Sequence, residues 1–308
     1  MEISSGFFRR FKNLFPPIYK DCTYRIVKNK LTWIMIVMLL LPTALVFYGG
    51  LMEYGTLGLE DKRQSTSIDG DKIYYNEDGE IMHEYLALDI FYGFSTGLGE
   101  LPGFTLGLFG ILLIIMISSE IIGEEYTAKT MNILRTTPIS PLEILAYRYL
   151  SAVIGTISIL GSYTILFYIM VMQFSGIHGI MEELDVLFLV LKLIVLESIA
   201  FVGIFCMVAV YTNRAFIISF AYWLLWEGLI PVIAPNVIQK VTVSHYLNSI
   251  EFEGAKSLGW DVSESTYFLE DSVGDSIATE PLAATFVFVF ITSLTLFLGS
   301  IGIANKQF

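Results

Sequence analysis

Four stretches of the chain carry no charged residue and no histidine over the roughly 20 residues that a helix needs to cross a bilayer core: Leu31 to Met52, Leu101 to Ser119, Tyr149 to Ile177 and Pro281 to Asn305. Two further stretches, Val186 to Asn213 and Ala215 to Gln239, are apolar apart from Lys192 and Glu197 in the first and Glu227 in the second. Asn213-Arg214 joins these two and is too short for anything but a tight helical hairpin. The pattern predicts an all-α polytopic membrane protein with a transmembrane domain of six helices over residues 31–308. Ahead of it, Phe7, Phe8, Phe11, Leu14, Phe15 and Ile18 recur every three or four positions, with Arg9, Arg10, Lys12 and Asn13 between them. That period marks residues 1–30 as a cytoplasmic interfacial amphipathic helix lying near anionic headgroups, not a cleavable signal. Pro16-Pro17 is expected to break it.

Basic residues set the orientation. The first 30 residues hold seven Lys/Arg and two acids, whereas Glu53 to Glu100 holds three basic residues and eleven acids, and Asn236 to Glu280 two and eight. Six spans with both termini inside place these acidic loops, 53–100 and 236–280, outside, and Arg214 and Lys306 inside. The expected location is the cell membrane. Composition agrees: 55% of the residues are hydrophobic and 16% charged, with mean hydropathy +0.66. The charged share lies well below the usual ~25%, which excludes a disordered tail, a nucleic-acid binder and an ordinary soluble enzyme. The net charge of −12 is concentrated in the loops, and Cys22 and Cys206 form no disulfide framework.

Within the first outer loop, Lys72 to Tyr75 and Glu80 to His83 are expected to pair as a hairpin about Asn76-Glu-Asp-Gly79. A calcium loop fails there, because aligning Asp78-Gly79 to the EF-hand pattern puts Tyr74 first and Tyr85 last. The second outer loop mixes acids with Tyr246, Phe252, Trp260, Tyr267 and Phe268, which suits short helices on the membrane surface. The cytoplasmic loop 120–148 is far longer than the ~2–8 residues of a mere connection. Glu124 to Thr137 is polar but carries Met131, Ile133 and Leu134, an amphipathic helix ended by Pro138. Ser140-Pro-Leu-Glu143 then reads as a capping box with proline at the first helical position. Such a loop is built for docking.

No Gly-x-x-x-x-Gly-Lys-Ser/Thr, no His-Glu-x-x-His and no nucleophile–base set occurs, so no catalytic residue, metal ligand or cofactor is assigned. Gly99, Gly103 and Gly107 repeat every fourth position, a spacing that lets helices approach closely in lipid, either within the chain or between subunits. Glu197, Glu227 and Lys192 are costly inside a bilayer and belong on a protein or aqueous face. They are candidates for a polar translocation path or for structural contacts between helices, with the two glutamates facing one another.

Ser119-Glu120, Glu124-Glu125, Lys129-Thr130, Leu134, Thr137-Pro138-Ile139-Ser140 and Arg148 resemble the permease subunits of type-2 ABC exporters, with Lys129 in place of a glycine and Arg148 in place of a lysine. The resemblance implies that Glu124, Glu125, Thr130, Met131, Leu134 and Pro138 belong to a coupling helix that docks on a separate ABC ATP-binding subunit. It also implies a second permease copy or homologue, ATP bound only by the partner, and a substrate path near the second and fifth spans. An ion- or proton-coupled secondary transporter, or a membrane-embedded enzyme or scaffold, is the rival reading. A neighbouring reading frame with a phosphate-binding loop would discriminate. On the packing reading of the glycines, Gly103→Leu is expected to prevent close helix approach; a crosslinked oligomer and transport that both survive would remove the second span from that contact.

Overall fold

A computed structural model describes residues 2–54, 63–66, 72–75, 81–82, 84–96, 107–127, 140–175, 180–181, 183–229, 239–258 and 278–305. The first helix, α1 (Glu2–Lys28), turns one face inward at helical spacing, with Phe11, Leu14, Phe15 and Ile18 half-buried and Cys22 and Ile26 buried, while Lys12, Asn13 and Lys20 are exposed. Contrary to expectation, it runs straight through Pro16 and Pro17. Each proline lacks an N–H and leaves the carbonyl four residues back unbonded. Those carbonyls belong to Lys12 and Asn13, on the exposed face, where water or headgroups satisfy them. Packing on both sides then holds the axis, with Phe11 and Phe15 against Tyr147 (ring centroids 5.7 and 6.3 Å) before the prolines and Cys22 and Ile26 buried after them.

After Asn29 the chain enters α2 (Lys30–Tyr54). A small antiparallel sheet follows, β1 (Arg63–Thr66), β2 (Lys72–Tyr75) and β3 (Ile81–Met82), in the order β1-β2-β3. The expected hairpin is its β2–β3 half, with Tyr74 opposite Met82 and Tyr75 opposite Ile81. Strand β1, which lacks apolar alternation, adds itself to the other edge. Then come α3 (Glu84–Thr96), α4 (Phe109–Thr127), α5 (Pro141–Met172), α6 (Leu184–Tyr211), α7 (Ala215–Tyr222, continued as a π-helical stretch Trp223–Leu229), α8 (Val243–Ser257) and α9 (Pro281–Asn305). Four of these helices, α2, α5, α6 and α9, are long and apolar enough to cross a membrane; α4 and α7 are shorter apolar helices.

The capping box expected at Ser140-Pro-Leu-Glu143 opens α5 at Pro141: Glu143 N–H donates to Ser140 Oγ (3.2 Å) and Ser140 N–H to Glu143 Oε2 (3.0 Å). Arg148 lies inside that helix and is buried, its Nη1 donating to the Ile121 carbonyl at 2.8 Å. One boundary moves from its expected place. The second apolar helix runs from Phe109 to Thr127 instead of ending at Ser119, so Glu124 and Glu125 form part of its last turns. The helix from Ala215 is described as far as Leu229; the rest of the expected run, 230–238, lies outside the described residues.

Helix α6 is the centre of the bundle: 72% of its most apolar window is buried, against 11% for α2, which lies at the periphery. It packs most extensively on α9, then on α4 and α5. In lipid there is little hydrophobic drive between helices, so association depends on close packing and interhelical hydrogen bonds. Both meet at one place. A Cβ on Gly203 would lie 2.8 Å from Thr295 Oγ1 and 3.8 Å from Thr292 Cα, so a side chain there would displace Thr295 and a large one would push on α9. One turn away the Ile199 carbonyl accepts from Tyr149 Oη of α5 (2.9 Å) and Thr292 Oγ1 of α9 (3.4 Å). Gly203→Leu is expected to overpack this junction and cost about 1–3 kcal/mol, and Tyr149→Phe about 0.6 kcal/mol. Thermal unfolding in detergent micelles tests the order; a Gly203→Leu midpoint equal to wild type would refute the close approach.

Candidate functional site

The loop between α4 and α5 was the strongest docking candidate. Its residues Thr130, Met131, Leu134 and Pro138 lie outside the described residues, as do Gly99 and Gly103; Gly107 opens onto empty space. The two stems of that loop are described, and they are tied together. Arg148 on α5 reaches back across the bundle to the carbonyl of Ile121 on α4. The guanidinium thus joins α5 to the body of α4, six residues before the last residue of that helix.

Asn29 ties the same region to α1 and α2. It stands in the one-residue break between those helices, accepts from Leu31 N–H at 2.8 Å through Oδ1, and donates through Nδ2 to the Glu120 carboxylate on α4. Arg25 pairs with Asp21 at 2.9 Å one turn earlier. With Tyr147 set against Phe11 and Phe15, α1, α4 and α5 thus share one cluster of contacts at the loop end of the bundle. Asn29 and Tyr147 were not singled out from sequence; a lone Asn between two helical runs is the signal that was available.

The intramembrane charges separate. Glu197 is buried near the middle of α6, and its Oε2 has no hydrogen-bond partner among the described residues. Lys192 on the same helix is exposed. Glu227 does not turn to Glu197. Its Oε1 accepts from Tyr222 Oη (3.1 Å) and Val243 N–H (3.2 Å), and its Oε2 from Ser244 N–H (2.9 Å) and Ser244 Oγ (2.8 Å). The carboxylate therefore caps α8, the helix of the 236–280 loop. Thr242 completes the cap by accepting from His245 N–H at 3.3 Å, so the first three N–H groups of α8 are satisfied. The π-helical stretch that carries Glu227 shifts the helical phase there, as such stretches do at functional positions.

Helix α8 is held from two more sides. His245 Nε2 lies 3.0 Å from Thr279 Oγ1, and Thr279 N–H donates to Ser249 Oγ at 3.0 Å, which fastens the approach to α9. Glu251, buried, sits against the hydroxyls of Tyr92 and Thr96 on α3. Burial pushes its carboxyl up to about 7, with hydrogen bonds to Tyr92 and Thr96 pulling the other way. Burial, with a smaller contribution from Lys240, holds the His245 imidazole down to about 4. No group of metal-ligating side chains occurs among the described residues. Neither His245 nor Glu251 was picked out from sequence, where each is one polar residue in a mixed loop.

A family model described as ABC-2 family transporter protein matches residues 18–252, from the second half of α1 into α8. Comparison with curated proteins and with solved structures yields no match.

Two outcomes follow for α8. Glu227→Gln replaces two accepting oxygens by one and removes the charge that caps the helix, a loss of about 1–2 kcal/mol. Amide exchange at Val243 and Ser244 is expected to quicken roughly tenfold; unchanged exchange would refute the cap. The pH dependence follows from two opposed shifts. Glu251 is raised in the folded state, so its stabilisation is complete below the ordinary carboxyl range and is lost as pH rises to about 7. His245 is lowered, so its stabilisation is complete above the ordinary imidazole range and is lost as pH falls to about 4. Glu251→Gln should remove the first slope and leave a melting temperature that only rises with pH up to the imidazole range. A variant whose melting curve tracks wild type across that interval would refute the assignment.

Proposed function

The chain belongs to the ABC-2 transporter family, and on that premise we propose that it is the permease subunit of an ATP-driven exporter, taking its energy from a separate ATP-binding subunit. The family match across 18–252 carries this reading, because it takes in five of the six apolar helices and the whole 120–148 loop. In this reading α2, α4, α5, α6, α7 with its π-helical extension, and α9 are six spans with both termini cytoplasmic, in the cell membrane. The sheet, α3 and α8 then belong to the outer side, and α1 lies in the inner interface.

The geometry of the loop stems supports the mechanism. A docking helix is useful only if a push on it moves the spans and is not absorbed by slack. Here the Arg148 bond to Ile121, the Asn29 bond to Glu120 and the Tyr147 aromatic cluster link both stems to α1 and to the start of α2. A displacement of the loop would therefore shift α1, α4 and α5 as one body. Glu124 and Glu125, in the last turns of α4, and Thr130, Met131, Leu134 and Pro138 beyond it form the face that meets the ATP-binding subunit. A second copy or homologue of this chain completes the path near α4 and α7. Glu197 faces that path in this reading, and Glu227 acts on it by positioning α8 as an outer cover.

Burial of Met131 and Leu134 at the docking face is worth about 2–4 kcal/mol. Met131→Asp, or Glu124→Lys with Glu125→Lys, is expected to weaken capture of the co-expressed ATP-binding subunit at least roughly tenfold. The melting temperature of the purified permease should stay at its wild-type value. Capture at wild-type yield by these variants would overturn the docking assignment.

A further inference from the structure

Two loop segments of the chain meet at a buried acid. Helix α3 comes from the 53–100 loop and α8 from the 236–280 loop, and each has its own anchor on the bundle. Phe91 and Phe94 of α3 pack on Phe167 of α5, with ring centroids 5.8 and 6.0 Å apart. Gly254 of α8 lies against Leu189 of α6 with no room for a Cβ between them, and Glu227 caps the other end of the helix. Glu251 joins α8 to α3. It is 3% exposed and faces the hydroxyls of Tyr92 and Thr96, while its Oε1 has no hydrogen-bond partner among the described residues. Thr96 Oγ1 also donates to the Tyr92 carbonyl at 3.0 Å, so the proton it offers the acid is shared.

A carboxylate has little to hold it in that place. No described charge acts on it from α6 (Asp185, Lys192, Glu197), from Glu280 ahead of α9, or from Lys240, His245, Glu253 and Lys256. From α3 it meets the Tyr92 phenol, which burial and Glu251 itself keep protonated. A buried charge without a counter-ion is costly, whereas a protonated carboxyl has a proton to donate and no charge to strip of water. Burial accordingly pushes its titration up to about 7. The loops on either side add to the cost. The first holds eleven acids and three basic residues and the second eight and two, so an ionised Glu251 stands between two bodies of its own sign. We propose that the α3–α8 seam is a proton-operated latch: with its proton Glu251 holds the two loops together, and without it water enters the seam and the loops part while the bundle stays folded. With α8 as the outer cover of the permease, the closure of that cover then follows the pH outside. This last step rests on the permease reading above; the latch itself does not.

The test follows amide exchange of the full chain in phosphatidylcholine nanodiscs, on peptides covering 88–96 and 249–257, at about pH 5 and about pH 9. Exchange is itself pH-dependent, so wild type is read against Glu251→Gln at each pH; the glutamine amide fills the same space and never ionises. At the lower pH the two should differ little. At the higher pH wild type should exchange at least roughly tenfold faster in both peptides, with α6 and α9 equal in the two proteins. Tyr92→Phe removes the other titratable group at the seam and should still open with pH. Glu251→Met, of similar volume, takes the place of the glutamine variant if that one does not elute as a monodisperse species. Equal exchange of wild type and the uncharged variant at the higher pH, or a pH response lost in Tyr92→Phe, would overturn the latch. Faster exchange that spreads to α6 and α9 would mean unfolding of the bundle and overturn it as well. Capture of the ATP-binding subunit reads the 120–148 loop and not the seam. A seam that stays shut with capture intact therefore refutes the latch alone, and a working latch with capture lost leaves the latch standing and refutes the exporter.

Discussion

The bundle rests on the place where α6 touches α5 and α9 at once. Buried helices in a bilayer gain nothing from leaving lipid, because acyl chains are as apolar as leucine, so what holds them is contact distance and interhelical hydrogen bonding. Gly203 leaves room for the Thr295 side chain of α9, and the Ile199 carbonyl one turn earlier receives hydroxyls from Tyr149 and Thr292. Gly299 repeats the device lower on α9, where a Cβ would lie 2.6 Å from Leu145 of α5. With α6 held on three sides, α2 can lie at the edge with most of its surface open, and α7 can be short.

From that core the two ends of the bundle are finished by different chemistry. At the loop end, single polar contacts do the joining: a guanidinium on the Ile121 carbonyl and an amide on a carboxylate. Each ties together elements distant in sequence, so the loop stems and the N-terminal helix form one body. At the other end, α8 is held by a carboxylate at its N-terminus, by Thr279 on one side and by α3 through Glu251 on another. Burial shifts Glu251 up and His245 down, so the hold on α8 depends on pH.

Glu197 and Glu227 show how similar sequence positions part in three dimensions. Each is an acid in an apolar run, and the two runs are joined by a tight turn. Glu227 is absorbed by a local need, the bare N–H groups of α8, and becomes a structural cap. Glu197 lies in the most buried helix with one oxygen unsatisfied among the described residues. Such a group is the exception that calls for a role.

Much was legible in the chain itself. The apolar runs, the amphipathic stripe of α1, the capping box at Ser140 and the Lys72–Tyr75 hairpin all depend on neighbours within a few residues, and each appears in the structure where those neighbours put it. The family resemblance was readable for the same reason, since its motif is a contiguous stretch. What only the tertiary structure decided were the matters that turn on a partner far along the chain. Pro16-Pro17 does not break α1, because α5 holds both sides and the freed carbonyls face outward. Arg148 is buried inside α5, because the Ile121 carbonyl of α4 lies opposite it. Glu227 looks like an intramembrane charge until α8 comes back to be capped. Local sequence sets what a segment can form, but whether a charge, a proline or a glycine is a fault or a fastening depends on which surface arrives opposite it, and that is settled only when the helices pack.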